Sequence, residues 1–217
     1  MKGNLKREWL PLLVTFNHDP QSYLHTSWWK VLPQGEEAEK LHGFEPARPH
    51  LNRYLRRCLD ISRQPALDFG DRLRRLALLP PPDLWSLCSD VGVCRHARAI
   101  RKIITGEVRR RLETVIGRDR ISLALQSGLG PSLPPEWENH SLPETEETLA
   151  VAGMELIMTR LGPLPEEIGS RLRLKFPASW SFPWPLEDQT RGQAHKTNGF
   201  LLHIIIGRLP QWQPLFA

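Results

Sequence analysis

The residues able to support metal, nucleophilic or proton-transfer chemistry are few and dispersed. Cys88, Cys94 and His96 form a Cys-x5-Cys-x-His series. It has no paired second half, and it falls within an amphipathic helical pattern where positions 88 and 94 do not readily converge on one ion. Buried structural thiols are the expected reading. The acid pairs Glu146-Glu147 and Glu166-Glu167 stand at expected helix starts, where carboxylates complement the helix dipole, so no catalytic pair is needed to explain them. His18 and His25 flank Pro20 and Tyr23 with no nucleophile near them, which favours hydrogen-bonded turn positions over general bases and leaves both without an assigned role. The chain contains no GxSxG elbow, GxxxxGK[ST] phosphate loop, GxGxxG turn or HExxH pair. The expectation is a protein with no catalytic residues, no cofactor and no metal.

One stretch has charge to spare. Arg95, Arg98, Arg101, Lys102, Arg109, Arg110, Arg111, Arg118 and Arg120 crowd one region, against only Glu107, Glu113 and Asp119. Three readings fit: a solvated face opposite the Ile100-Ile104-Val108-Leu112 stripe, a docking surface for an acidic protein, or a grip on phosphates. No zinc finger, RNP motif or clear helix-turn-helix supports the last, so nucleic acid is disfavoured as a partner. Arg95, Arg98, Arg101, Arg109 and Arg110 are the first candidates for partner binding, since a guanidinium matches a carboxylate through bidentate hydrogen bonds. Trp212 and Phe216 in the C-terminal tail are the second, as interface anchors, with core packing as the alternative.

The elements that must position these groups follow from composition and punctuation. The 217 residues are 40% hydrophobic and 24% charged, which is ordinary globular composition and leads to the expectation of one domain over 1–217. Within it, 1–49 is expected to be irregular, 50–176 a helical core, and 177–217 a tail rich in Trp and Pro. A chain of this size buries enough surface to fold without disulfides or a structural metal. Three cysteines without framework spacing fit a reducing compartment. Lys2, Lys6 and Arg7 ahead of Trp9–Phe16 faintly resemble a signal peptide, but the stretch is short, holds Pro11 and lacks a small-x-small site, so a cytoplasmic protein is expected. No apolar run approaches the roughly 20 residues that cross a bilayer. The formal charge of +5 leans weakly toward acidic partners.

The fold class expected is mainly α, a multi-helix domain with room for one short strand pair near the C-terminus. Leu51, Tyr54, Leu55, Cys58 and Leu59 recur at helical spacing over 50–61, and a second helix fits 66–79 before the Pro80-Pro81-Pro82 stop. Asp83 is expected to cap a helix running through Leu87, Val91, Ala97 and Ile104, with Gly92 as its weak point. Thr105 caps the next helix and Gly117 ends it. Ser141-Leu142-Pro143-Glu144 has the form of a capping box, opening a helix in which Ala150, Ala152 and Gly153 permit close approach of a neighbour until Gly162-Pro163 stops it. Pro165 starts a further short helix. Pro33–Pro49 and Gly128–Asn139 are read as loops. Arg171–Phe176 alternates basic and apolar residues as a short strand would, and Phe200–Ile206 fits either a buried helix or a strand.

Three stretches, in this order, resemble the YscK/PscK/OrgA/MxiK family, also called SctK. They are Phe16-Asn17-His18-Asp19-Pro20-Gln21-Ser22-Tyr23-Leu24-His25; Leu84-Trp85 through Arg98, Arg101 and Ile104 to Ile116-Gly117 and Ala124-Leu125; and Ala152-Gly153 through Leu164-Pro165 to Arg171-Leu172-Arg173-Leu174-Lys175-Phe176-Pro177. All are packing patterns rather than a catalytic signature. The resemblance implies a predominantly helical, non-enzymatic adaptor of the type III secretion sorting platform. Such an adaptor would sit at the cytoplasmic face of the inner membrane, linking the cytoplasmic domain of the SctD ring protein to the SctQ pod protein, and through it to SctL and the SctN ATPase. The alternative kept open is a basic helical nucleic-acid-binding regulator.

Overall fold

A computed structural model describes residues 9–103, 105–126, 138, 141–180 and 191–216, with side chains from 199 onward in the last stretch. The α-helices are Leu10–His18 (α1), Gly35–Lys40 (α2), Arg48–Cys58 (α3), Pro81–Arg95 (α4), Ala97–Arg101 (α5), Gly106–Ile116 (α6), Arg118–Gln126 (α7), Glu146–Leu161 (α8), Glu166–Leu172 (α9), Arg191–Arg208 (α10) and Gln213–Phe216 (α11). Short 3-10 turns join many of them, and no strand occurs among the described residues. The mainly helical class is therefore correct. The chain divides into two compact units, Met1–Pro81 with Leu164–Ser181, and Pro82–Pro163 with Phe182–Ala217. Ile104, the loop 128–139 apart from 138, and the Trp184 region of the tail lie outside the described residues.

In the first unit, α3 buries Leu51 and Leu55 while Arg53 and Arg57 stay in solvent, the amphipathic split that its sequence predicts. Phe16 and Phe69 are buried side by side with ring centroids 6.0 Å apart, and Tyr23 stacks on Phe16 at 5.8 Å. Each such burial is worth roughly 1.5–3 kcal/mol. The helix expected over 66–79 is only the 3-10 segment Leu73–Leu78, because Leu67 is exposed and 66–72 is irregular. The loop expected over 33–49 contains α2 and a 3-10 turn at Glu45–Ala47; Glu36 and Glu37 in the first turn of α2 favour it despite the flanking prolines.

The strand expected at Arg171–Phe176 is not formed. Arg171 and Leu172 end α9, and Arg173–Lys175 is a 3-10 turn. The alternation misled because it assumed a wet basic face, whereas Arg171 and Lys175 are both buried. Backbone carbonyls solvate them. Arg171 donates to Glu167 O (2.5 Å), Ser62 O (2.9 Å) and Gln64 O (3.1 Å), and Lys175 Nζ donates to Ala77 O and Leu79 O, each at 2.6 Å. The Lys175 ammonium also lies 5.2 Å from the centroids of both Phe16 and Tyr23. The same turn holds the N-terminal segment: His25 N donates to Leu174 O (2.8 Å), Trp28 Nε1 to Phe176 O (2.9 Å), and Ala178 N to Ser27 Oγ (2.8 Å).

The second unit is organised around α4 and α8. A Cβ on Gly153 would fall 1.8 Å from Cys88 O, and one on Gly92 would fall 2.0 Å from Leu149 O. These glycines let the two backbones touch where any larger residue would separate them. Gly92 is therefore a crossing point rather than a weak one, and the break in the helical run comes at His96 instead. Val93, Ala97, Ile100, Leu112, Ile116, Ile121, Ala124 and Leu149 fill the core beside the crossing. The capping box is displaced. The N-cap of α8 is Thr145, whose side chain accepts from Thr148 N at 3.1 Å, while the Ser141 carbonyl faces His96 Nδ1 at 2.8 Å. Phe200–Ile206 lies within α10, with Phe200, Leu201, Ile204 and Ile205 buried at helical spacing.

Candidate partner-binding faces

The candidate arginines arise on three consecutive helices of the second unit, and they divide by what they already hold. Arg95 ends α4 and is committed internally, donating to Ala152 O (2.7 Å) and Glu155 Oε2 (2.9 Å), which ties α4 to α8. Arg98 and Arg101 occupy the outer side of α5 and are exposed, while Ala97 and Ile100 take its inner side. Arg98 lies 3.7 Å from Glu138, beyond hydrogen-bond range, and Arg101 folds its Nε back on Ala97 O (3.2 Å).

On α6 the inward residues are Leu112 and Ile116, so Arg109, Arg110 and Arg111 project into solvent. Thr105 stands at the N-cap as expected, and Gly117 closes the helix at φ 84°, a value that disfavours other residues. Arg109 pairs with Glu113 one turn on (3.2 Å), and Arg118 reaches the same acid (3.3 Å). Both pairs are exposed and contribute little to stability. Arg110 donates Nε to Gly106 O at 3.3 Å. The exposed arginines can therefore leave their present contacts for a carboxylate at low cost, whereas Arg95 cannot.

Arg120 belongs to a buried network that sequence reading overlooked. Asp90 on α4 is 2% exposed and receives Arg120 Nε at 3.0 Å and Arg208 Nε at 2.8 Å, and Arg120 also pairs with Glu146 at 2.7 Å. One carboxylate thus ties α4, α7 and α10 together. The available signal was an acid set among Leu87, Cys88, Val91 and Val93 in the middle of α4.

The tail candidates are tied into the second unit, Trp212 half-buried and Phe216 buried. Trp212 donates Nε1 to Asp83 Oδ2 at 2.8 Å, and Phe216 is 2% exposed in α11. Cys88 and Cys94 are buried, and burial pushes both thiols up, Cys94 to about 12, with the Asp90 carboxylate adding to the shift of Cys94. Neither is a thiolate at neutral pH. No cluster of three metal-ligating side chains occurs among the described residues. Nor is any helix among them long and apolar enough to cross a membrane. His25 is a local hydrogen-bonding residue: its ring accepts from Ser27 N at 3.2 Å and caps the following 3-10 turn.

The geometry thus offers helical surfaces and buried ties, with the two ends of the Phe16–His25 and Arg171–Pro177 stretches fastened together. The chain matches the family model described as YOP proteins translocation protein K (YscK) over residues 14–213, nearly its whole length. It belongs to the YscK family. This is a family of type III secretion proteins. No curated protein and no solved structure matches the chain. Two of the stretches that resemble the family meet in space, His25 N donating to Leu174 O, and Trp28, just past the first stretch, donating its side-chain Nε1 to Phe176 O.

Proposed function

We propose that the protein is a non-catalytic adaptor of the type III secretion sorting platform, joining the cytoplasmic domain of an SctD-type ring protein to an SctQ-type pod protein. The observation that carries this reading is the match to the YscK family over residues 14–213. The adaptor works at the cytoplasmic face of the inner membrane and, through SctQ, tethers SctL and the SctN ATPase. Its chemistry is binding without turnover. The α5–α6 face, with Arg98, Arg101, Arg109 and Arg110 exposed, is the first contact surface for an acidic partner. Arg95 supports that surface from behind through Ala152 and Glu155.

The test is a pull-down from nuclease-treated bacterial lysate with the tagged chain, wild type and Arg98→Glu/Arg101→Glu, and identification of captured proteins by mass spectrometry. Recovery of SctD and SctQ homologues supports the adaptor, and loss of one of them in the variant assigns that partner to the α5–α6 face. Recovery of nucleic acid alone in untreated lysate, with binding that weakens steeply as salt rises, would replace it with a nucleic-acid-binding regulator.

A further inference from the structure

The first unit carries a second surface, between α1 and α3, whose two walls differ in chemistry. The groove between them has a volume of about 600 Å³ and is lined in part by Val14, His18, Asp19, Arg48, Arg53 and Arg56. One wall is α1, which lines the groove with Val14, Thr15 and His18. Leu10, one turn before Val14 and outside the groove lining, extends the aliphatic face of Val14; the two are 57% and 50% exposed, although Leu13 and Phe16 from the same helix are buried. The other wall is cationic, with Arg53 and Arg56 about one turn apart on α3.

The groove's own acid does not neutralise that wall. Asp19 takes Arg48 Nη2 at 2.5 Å and Asn52 Nδ2 at 2.8 Å. Burial pushes its carboxyl up, but the Arg48 guanidinium and the Asn52 amide outweigh burial and hold it below the ordinary carboxylate value. Arg53 is exposed and makes no ion pair among the described residues. Arg56 gives Nη2 to Asn17 O at 2.9 Å and lies 3.4 Å from His18 Nδ1, and its Nε is buried with no acceptor among the described residues. Positive charge without a counter-ion therefore borders an open aliphatic ridge.

We propose that this groove receives an amphipathic acidic helix from a protein partner, with aliphatic side chains on Leu10 and Val14 and carboxylates one turn apart on Arg53 and Arg56. An incoming helix with Asp or Glu at that spacing would fill the open Arg53 fork bidentately and neutralise the half-buried Arg56 from its exposed end, and its apolar stripe would cover what α1 leaves open. A phosphate backbone would leave the aliphatic wall wet, and a flat lipid surface would not fill a concave site. That the helix belongs to the secretion apparatus rests on the adaptor reading; its chemistry does not.

The experiment places a photo-crosslinking benzoylphenylalanine at Val14 in the full-length chain, in the producing bacterium, and sequences the crosslinked segment by mass spectrometry. The expected product is a segment with aliphatic and acidic residues at helical spacing. Its yield should fall about tenfold or more in Arg53→Glu, be unchanged in Lys40→Glu, an exposed position of α2 outside the groove lining, and recover when an acid of the segment is changed to Arg. Crosslinks to lipid, to a second copy of this chain or to a segment without carboxylates would overturn the proposal, as would no crosslink or a yield indifferent to Arg53→Glu. A charge-dependent crosslink to an acidic helix outside the apparatus keeps the groove and removes the adaptor reading. A charge-independent crosslink to an apparatus protein does the reverse.

Discussion

Lys175→Met removes an ammonium from the centre of the first unit while preserving most of its stem. Two hydrogen bonds of 2.6 Å disappear, and Ala77 O and Leu79 O lose the donor they share. A buried acceptor left without its partner costs about 1–3 kcal/mol, so the pair should lower stability by about 2–6 kcal/mol. Below about pH 7, where the amine is charged, its contacts with the Phe16 and Tyr23 rings are lost as well. Burial pushes the Lys175 amine down from 10.5 to about 7. Its folded-state value is then below its unfolded one, and between the two the unfolded chain binds more protons. Wild-type stability should rise as pH goes from about 7 toward 10.5, and Lys175→Met should lack that component. Urea titrations of both proteins at several pH values across this window, followed by tryptophan fluorescence, measure the gap. It should widen with pH. A gap below about 0.5 kcal/mol, the level of an ordinary surface change, or one that narrows with rising pH, would refute the role assigned to Lys175.

Gly153→Ala should force α4 and α8 apart, because its Cβ would fall 1.8 Å from Cys88 O; a loss of about 1–3 kcal/mol or more is expected in chemical denaturation. Asp90→Asn leaves Arg120 and Arg208 without their shared buried carboxylate, and since Arg120 keeps Glu146 and Arg208 is partly solvated, thermal unfolding should report a loss of about 1–3 kcal/mol. Arg98→Glu/Arg101→Glu changes only exposed positions and should shift unfolding free energy by no more than about 0.5 kcal/mol, so loss of a partner in that variant reports binding rather than unfolding.

Helical periodicity was legible wherever one face is dry and the other wet, as in α3 with Leu51 and Leu55 inside and Arg53 and Arg57 outside, and in α6 with Leu112 and Ile116 inside. It failed where a cation goes inward. Arg171 and Lys175 are solvated by carbonyls of residues about a hundred positions away, which no local pattern contains, so a buried turn looked like a two-faced strand. Gly92 looked like a defect for a similar reason: its role depends on Leu149 lying against it in space. Of the candidate contact residues, the exposure of Arg98, Arg101, Arg109 and Arg110 agrees with their pattern. The contacts that hold Arg95, Trp212 and Phe216 depend on Glu155, Asp83 and core packing, which residue type alone does not reveal.

Reconstitution tests the central claim most directly. The purified chain is mixed with the cytoplasmic domain of the SctD homologue and with the SctQ homologue from the same bacterium, pairwise and together, and the mixtures are resolved by size-exclusion chromatography with mass measurement. Two binary complexes and a ternary one are expected, with the SctD domain and SctQ co-eluting only when the chain is present. Co-elution of those two without it, or failure of the chain to bind either, would contradict the adaptor function.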